Sequence, residues 1–274
     1  MPLRVEPDAT FRHALATANR PLMGMWVCSG SPLVAELCAG AGLDWLLVDA
    51  EHSPNGLESV LAQLQAVHGY PVQVLVRPPV NDTVLIKQYL DLGVQNLLVP
   101  MVNSAAEAEA AVAATRYPPH GVRGVGSALA RASRWNRIPD YLARAGETVS
   151  LTVQIESEAA VAAVENILAV DGVDAIFLGP SDLAASMGVL GQQDHPEVRA
   201  AVEHCLAAAT AAGKPAGVNA FNPATARSYL AAGAAFVLVG ADVAILARGS
   251  EALAAEYIPP AAAVEPAGET PASY

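Results

Sequence analysis

Two short apolar runs near the middle of the chain each end in a carboxylate. Leu151-Thr-Val-Gln-Ile155 is followed by Glu156, and Asp174-Ala-Ile-Phe-Leu178 by Gly179-Pro-Ser-Asp182. Runs of this length and composition read as strands buried on both faces, beyond which only turn residues are expected. An unpaired carboxylate at a buried strand end is costly, so two of them at neighbouring ends point to a shared cation. With Gln154 close by, they make a sparse, all-oxygen site that leaves positions open to water and substrate. The segment from Glu158 to Val170 is long enough for one crossover helix, which makes the two strands parallel neighbours.

Other strand ends carry further chemistry. Trp45-Leu-Leu-Val-Asp49 continues into Ala-Glu51-His52, placing an imidazole just past a strand. A lone loop histidine is usually a plain surface residue, but one that follows Asp49 and Glu51 towards a carboxylate pair is a candidate base. Arg77 closes Val74-Leu-Val-Arg77, either as a surface charge or as a clamp for an anionic substrate. Asp91 ends a helical segment, where a negative charge opposes the helix dipole; it is either a tolerated exposed charge or an orienting partner for an imidazole. The backbone N–H groups of Ser181 and Asp182 can face an anion, though an ordinary turn capped by either side chain accounts for them equally well. Gly121-Val-Arg-Gly-Val-Gly126 lacks the Lys-Ser/Thr of a phosphate loop and is not read as a nucleotide site.

These residues need a frame that brings strand ends together. Strand candidates fall at Met23–Cys28, Trp45–Asp49, Val72–Val76, Asn96–Pro100, Leu151–Ile155, Asp174–Leu178, Pro215–Val218 and Ala235–Val239, with helical segments between. That alternation predicts a closed (β/α)8 TIM barrel over residues 1–258; an open doubly wound sheet is the runner-up, but no G-x-G-x-x-G follows the first strand. Gly42, Gly93 and Gly233 sit where helices would end before strands 2, 4 and 8. Two connections are long: Tyr117 through Arg137 after strand 4, and Ala184 to Asp194 after strand 6. Long loops that follow barrel strands are where chemistry is carried. The Pro/Ala-rich stretch 259–274 reads as a flexible tail or an arm on a neighbouring subunit.

The 274 residues suit one such barrel. Acidic residues outnumber basic ones 27 to 15, with no lysine or arginine run, which argues against nucleic acid and anionic membrane as partners. Cys28, Cys38 and Cys205 show no paired spacing and read as reduced residues of a cytoplasmic protein. No signal peptide is apparent, and Ala231 to Ala247 is broken by Gly233, Gly240 and Asp242, as a helix end, strand and helix start rather than a membrane span.

Taken together, Gly42-Leu-Asp-Trp-Leu-Leu-Val-Asp-Ala-Glu-His52, Val76-Arg-Pro78, Leu97-Leu-Val-Pro-Met101, the segment Arg116 to Trp135, Gln154-Ile-Glu156 and Gly179-Pro-Ser-Asp182 resemble the HpcH/HpaI family of class II pyruvate aldolases, from about Phe11 to Ile258. The Arg-Gly-Val-Gly through Tyr141 stretch looks most like members that act on 4-hydroxy-2-oxoheptanedioate. The resemblance implies metal ligands at Glu156 and Asp182 for Mg2+, Mn2+ or Co2+, a base at His52 made more basic by Asp91, and a transition-state stabiliser at Arg77. It also implies substrate contacts from Arg77, Gln154, Ser181 and Asp182, and a homohexamer whose last helix, Asp242 to Tyr257, is exchanged between subunits.

The implied reaction takes the C4 hydroxyl proton of a 4-hydroxy-2-oxo acid at His52, breaks C3–C4 and releases pyruvate and an aldehyde such as succinic semialdehyde through a pyruvate enolate. No lysine sits among the motifs for a Schiff base, since Lys87 is on an outer helix and Lys214 precedes a strand. Asn219, after Gly217-Val, is polar where the family tends to be apolar; facing the aldehyde pocket, it would shift preference towards shorter or hydroxylated aldehydes. Related readings on the same barrel are a sugar-acid or hydroxypyruvate aldolase, a 2-oxo acid decarboxylase, which shares the enolate, and a CoA-ester lyase, for which no basic groove is visible. A non-catalytic barrel would have lost at least one of His52, Arg77, Glu156 or Asp182, and all are present.

Overall fold

Short strands that are apolar on both faces need cover on both sides, and a barrel ringed by helices supplies it. A computed structural model describes residues 3–259. It has eight parallel strands closed in sequence order, β1 (Leu22–Val27), β2 (Trp45–Asp49), β3 (Gln73–Arg77), β4 (Asn96–Val99), β5 (Ser150–Ile155), β6 (Ala175–Leu178), β7 (Ala216–Asn219) and β8 (Phe236–Ala241). The strands expected from the sequence are matched to within one or two residues. Gly93 and Gly233 take φ of 91° and 103° before β4 and β8, as left-handed helix ends require.

The barrel interior is an aromatic plug. Phe11 meets Phe236 edge-on with ring centroids 5.2 Å apart and lies 5.4 Å from Trp45, with Phe177 stacked on Phe236 at 6.0 Å. Gly24 and Gly217 make room for it, since a β carbon at either would collide with the Trp45 or Phe236 ring. Phe11 belongs to a short N-terminal helix, Phe11–Thr17, capped by Thr10 and anchored where Asn96 Oδ1 accepts the Phe11 N–H (2.7 Å). A larger apolar shell fills the space between strands and helices.

The crossover between β5 and β6 is two short helices, Glu158–Ala162 and Val164–Leu168, not one. The chain leaves helical geometry at Ala163 (φ −105°, ψ 6°), and Ala160, Val164, Ile167 and Leu168 are all buried against the barrel. The helix after β6 begins at Pro180, so Ser181 and Asp182 lie in its first turn and neither is the cap. The segment 231–247 is a helix end, β8 and the start of helix Asp242–Tyr257. Among the described residues no helix is long and apolar enough to cross a membrane, and the three cysteines are free thiols. The tail beyond Pro259 lies outside the described residues.

Candidate functional site

Parallel strands deliver their last residues to one mouth, and β2 and β3 are in register there, with Asp49 directly beside Arg77. Asp49 is buried and organises the loop that follows. Its Oδ1 accepts from Arg77 Nε (2.8 Å) and the Glu51 N–H (3.1 Å), its Oδ2 from the His52 N–H and the Ser53 hydroxyl (3.2 Å each). Burial pushes the Asp49 carboxyl up, but the Arg77 bond and charge and the two backbone N–H groups outweigh it and hold the group below its ordinary value. The loop therefore carries Glu51 and His52 from a fixed base.

Arg77 is 4% exposed and held on every side but one. Besides Asp49, its Nη1 reaches Glu51 Oε2 (2.9 Å) and Gln154 Oε1 (3.5 Å), while the Trp26 ring covers one face of the guanidinium with Cζ 4.3 Å from the ring centroid. Nη2 is left without a partner among the described residues. The His52 side chain is largely exposed, its Nε2 3.9 Å from Glu51 Oε2.

Glu156 follows β5 and is 3% exposed. Its Oε1 accepts the Met101 N–H (2.7 Å) and its Oε2 a bond from Gln154 Nε2, so Gln154 links Glu156 to Arg77. Met101 takes φ 53°, a left-handed conformation that a side chain disfavours and that here accompanies a backbone donor aimed at the carboxylate. Gly179 leaves the space that Glu156 occupies; a β carbon there would come within 3.0 Å of Gln154 Nε2 and Glu156 Oε2.

Burial pushes Glu156 up to about 7; the Met101 N–H opposes the rise, the nearby charges of Asp182 and Glu51 add to it, and Arg77 offsets a part. Glu51 is likewise raised, chiefly by burial, against the pull of Arg77 and His52. Asp182 is exposed and has no hydrogen-bond or ion-pair partner among the described residues. Three carboxylates from β2, β5 and β6 thus feel one another across the mouth, and their mutual repulsion is what a divalent cation would relieve. Among the described residues no group of three or more His, Cys, Asp or Glu gathers closely enough to hold a metal ion by itself. The donor set is all oxygen, which suits Mg2+ or Mn2+.

Of the residues singled out in the sequence, Arg77, Gln154 and Glu156 are in contact, and Asp182 lies close enough to act on Glu156. Ser181 is exposed, its hydroxyl on Gln193 Oε1 (2.8 Å). Asp91 is not brought to His52 within the chain. It ends helix Thr83–Asp91, which runs back to the barrel's opposite end, and its Oδ1 lies 3.4 Å from Nη2 of the fully buried Arg123. Asn219 accepts from Trp26 Nε1 (2.9 Å). Asp49, Glu51 and Trp26 were not singled out as functional; the signal for Asp49 was a charge inside an otherwise apolar strand.

The profile of the HpcH/HpaI aldolase/citrate lyase family matches residues 22–248. The chain is 55% identical over 257 residues to hydroxypyruvate/pyruvate aldolase of Deinococcus radiodurans, covering 93% of this chain and 92% of that protein. It is 56% identical over 247 residues to 4-hydroxy-2-oxo-heptane-1,7-dioate aldolase of Salmonella dublin, covering 90% and 94%. A crystal structure of an HpcH/HpaI aldolase/citrate lyase family protein from Burkholderia cenocepacia superposes with a TM-score of 0.86 at 40% identity, covering 89% of this chain and 97% of that one.

Proposed function

The chain belongs to the HpcH/HpaI aldolase/citrate lyase family and is a carbon–carbon lyase of the aldolase type, and we propose that it cleaves 4-hydroxy-2-oxo acids reversibly to pyruvate and an aldehyde with the help of a divalent ion. The observation that carries the metal half is the Glu156 carboxyl, buried and pushed up to about 7 opposite Asp182 and Glu51. Glu156 and Asp182 would hold the cation, Mg2+, Mn2+ or Co2+, which on binding supplies a Lewis acid that polarises the 2-oxo acid.

The remaining work falls to the chain's own groups. His52, on the loop fixed by Asp49, takes the proton of the C4 hydroxyl as the C3–C4 bond breaks and its electrons move into the 2-oxo group. The unpaired Nη2 of Arg77 donates to the oxygen on which negative charge develops, from a guanidinium already immobilised by Asp49, Glu51 and Gln154. The N–H groups of Ser181 and Asp182, in a first helical turn without intrahelical acceptors, face the substrate carboxylate. Protonation at C3 then releases pyruvate.

Two parts of this reading need more than one copy of the chain. Asp91 lies at the far end of its own barrel, so its support of His52 would come from a neighbouring protomer. Helix Asp242–Tyr257 exposes Ile245, Leu246, Leu253 and Tyr257, an apolar face that supports its packing on another subunit of a cytoplasmic homohexamer.

The likeness to the Deinococcus enzyme favours a second reading of the substrate, in which hydroxypyruvate also serves as nucleophile, while the polar Asn219 bears on which aldehyde is preferred. The test is pyruvate release from 4-hydroxy-2-oxoheptanedioate by EDTA-stripped protein before and after Mg2+ or Mn2+ is added. Release only with metal is expected. Full release without metal removes the metal reading, and no carbon–carbon bond formation from pyruvate or hydroxypyruvate with any aldehyde removes the aldolase.

A further inference from the structure

Trp26 stands between two residues far apart in the chain. On one side its Nε1–H donates to Asn219 Oδ1 (2.9 Å), reaching from β1 to β7 past the intervening β8. On the other its ring lies against the guanidinium of Arg77, 4.3 Å from Cζ to the ring centroid. The edges of that guanidinium are fixed by Asp49, Glu51 and Gln154, and one face is covered by the indole. A ring seated on a cation face is attracted electrostatically, and packing in the barrel core limits how far this indole can turn, but neither contact selects the in-plane direction of its N–H. The bond to Asn219 fixes that direction.

We propose that Asn219 is a positioning residue for Arg77, acting through Trp26, so that the residue at the end of β7 sets the placement of the oxyanion donor as well as the shape of the mouth. The inference rests on the role given to Arg77 above. A leucine at 219 keeps the branched outline and removes the acceptor; a phenylalanine at 26 keeps an aromatic face and removes the donor. If Asn219 works through the indole, the two changes break the same link and cannot add.

The experiment uses full-length protein, unchanged and as Asn219→Leu, Trp26→Phe and the double variant, with two readouts. The first is NMR of 15N-labelled protein. Asn219→Leu should shift the one indole N–H resonance that Trp26→Phe deletes, and both should shift the Arg77 Nε–H resonance. The second is exchange of the C3 protons of pyruvate with D2O in the presence of Mg2+, which needs the enolate but no aldehyde. Each single variant should slow it about fivefold, the size of one net hydrogen bond, and the double variant no more than the slower single. Losses that multiply in the double variant, an unmoved Arg77 resonance, or unchanged exchange with altered aldehyde preference would each overturn the proposal. If the unchanged protein exchanges no protons with any divalent ion, the aldolase reading fails, and the Arg77 resonance still decides the positioning.

Discussion

Metal-free protein should carry a pH-dependent penalty at Glu156. The carboxyl is 3% exposed and titrates near 7, against 4.5 for the ordinary group, chiefly because burial disfavours its charge. Between those two values the folded chain keeps a proton that the unfolded chain has released. The folded state then binds more protons, so stability falls as pH rises through this window, by about 3 kcal/mol between pH 4.5 and 8. Glu156→Gln is neutral throughout and lacks the penalty. Urea unfolding of both proteins in EDTA at the two pH values isolates Glu156 together with its coupling to Asp182, Glu51 and Arg77, because titrating groups that do not interact with it cancel in the difference. The unfolding free energy of Glu156→Gln relative to the parent should rise by about 3 kcal/mol across the range. A saturating divalent ion should remove most of that rise, since a ligand at 100 times its Kd adds about 2.7 kcal/mol to the parent alone. A gap between the two proteins that stays constant with pH in EDTA refutes the claim that burial of this carboxyl outweighs its compensation by Arg77 and the Met101 N–H.

Three further changes probe the rest of the mouth. His52→Ala should lose about a thousandfold in cleavage rate, within the usual range for a general base, while metal binding by calorimetry is retained; an unchanged rate removes the base assignment. Arg77→Lys forfeits the Nε bond to Asp49 and the planar fork, and kcat should fall about a hundredfold or more, with a kcat equal to the parent's counting against the oxyanion role. His52→Ala and Asp91→Asn chains, each inactive alone, should regain cleavage when unfolded and refolded together, because mixed assemblies would contain sites with both native residues; no recovery would remove the shared-site reading of Asp91.

The eight strands were legible because each is a short aliphatic run bounded by glycine, proline or charge, and Trp45–Asp49 matches residue for residue. The N-terminal plug was not. Phe11 is one aromatic in a seven-residue helix, too short for periodicity to show, and its importance comes from Trp45 and Phe236 far along the chain. The single crossover helix expected between β5 and β6 also failed, because an alanine-rich segment carries no local sign of the break at Ala163.

At the mouth, residue types and strand-end positions came from the sequence, since a charge after a buried apolar run is costly wherever the run folds. Which charges neutralise one another was decided by barrel closure. It sets Asp49 beside Arg77, brings the Met101 N–H onto Glu156 and joins Trp26 to Asn219 across 193 residues. It also carries Asp91 away from the His52 of its own chain and towards Arg123. The lift of Glu156 to about 7 belongs to the tertiary structure as well, because it arises from lost water and from Asp182 and Glu51, neither of which is a sequence neighbour.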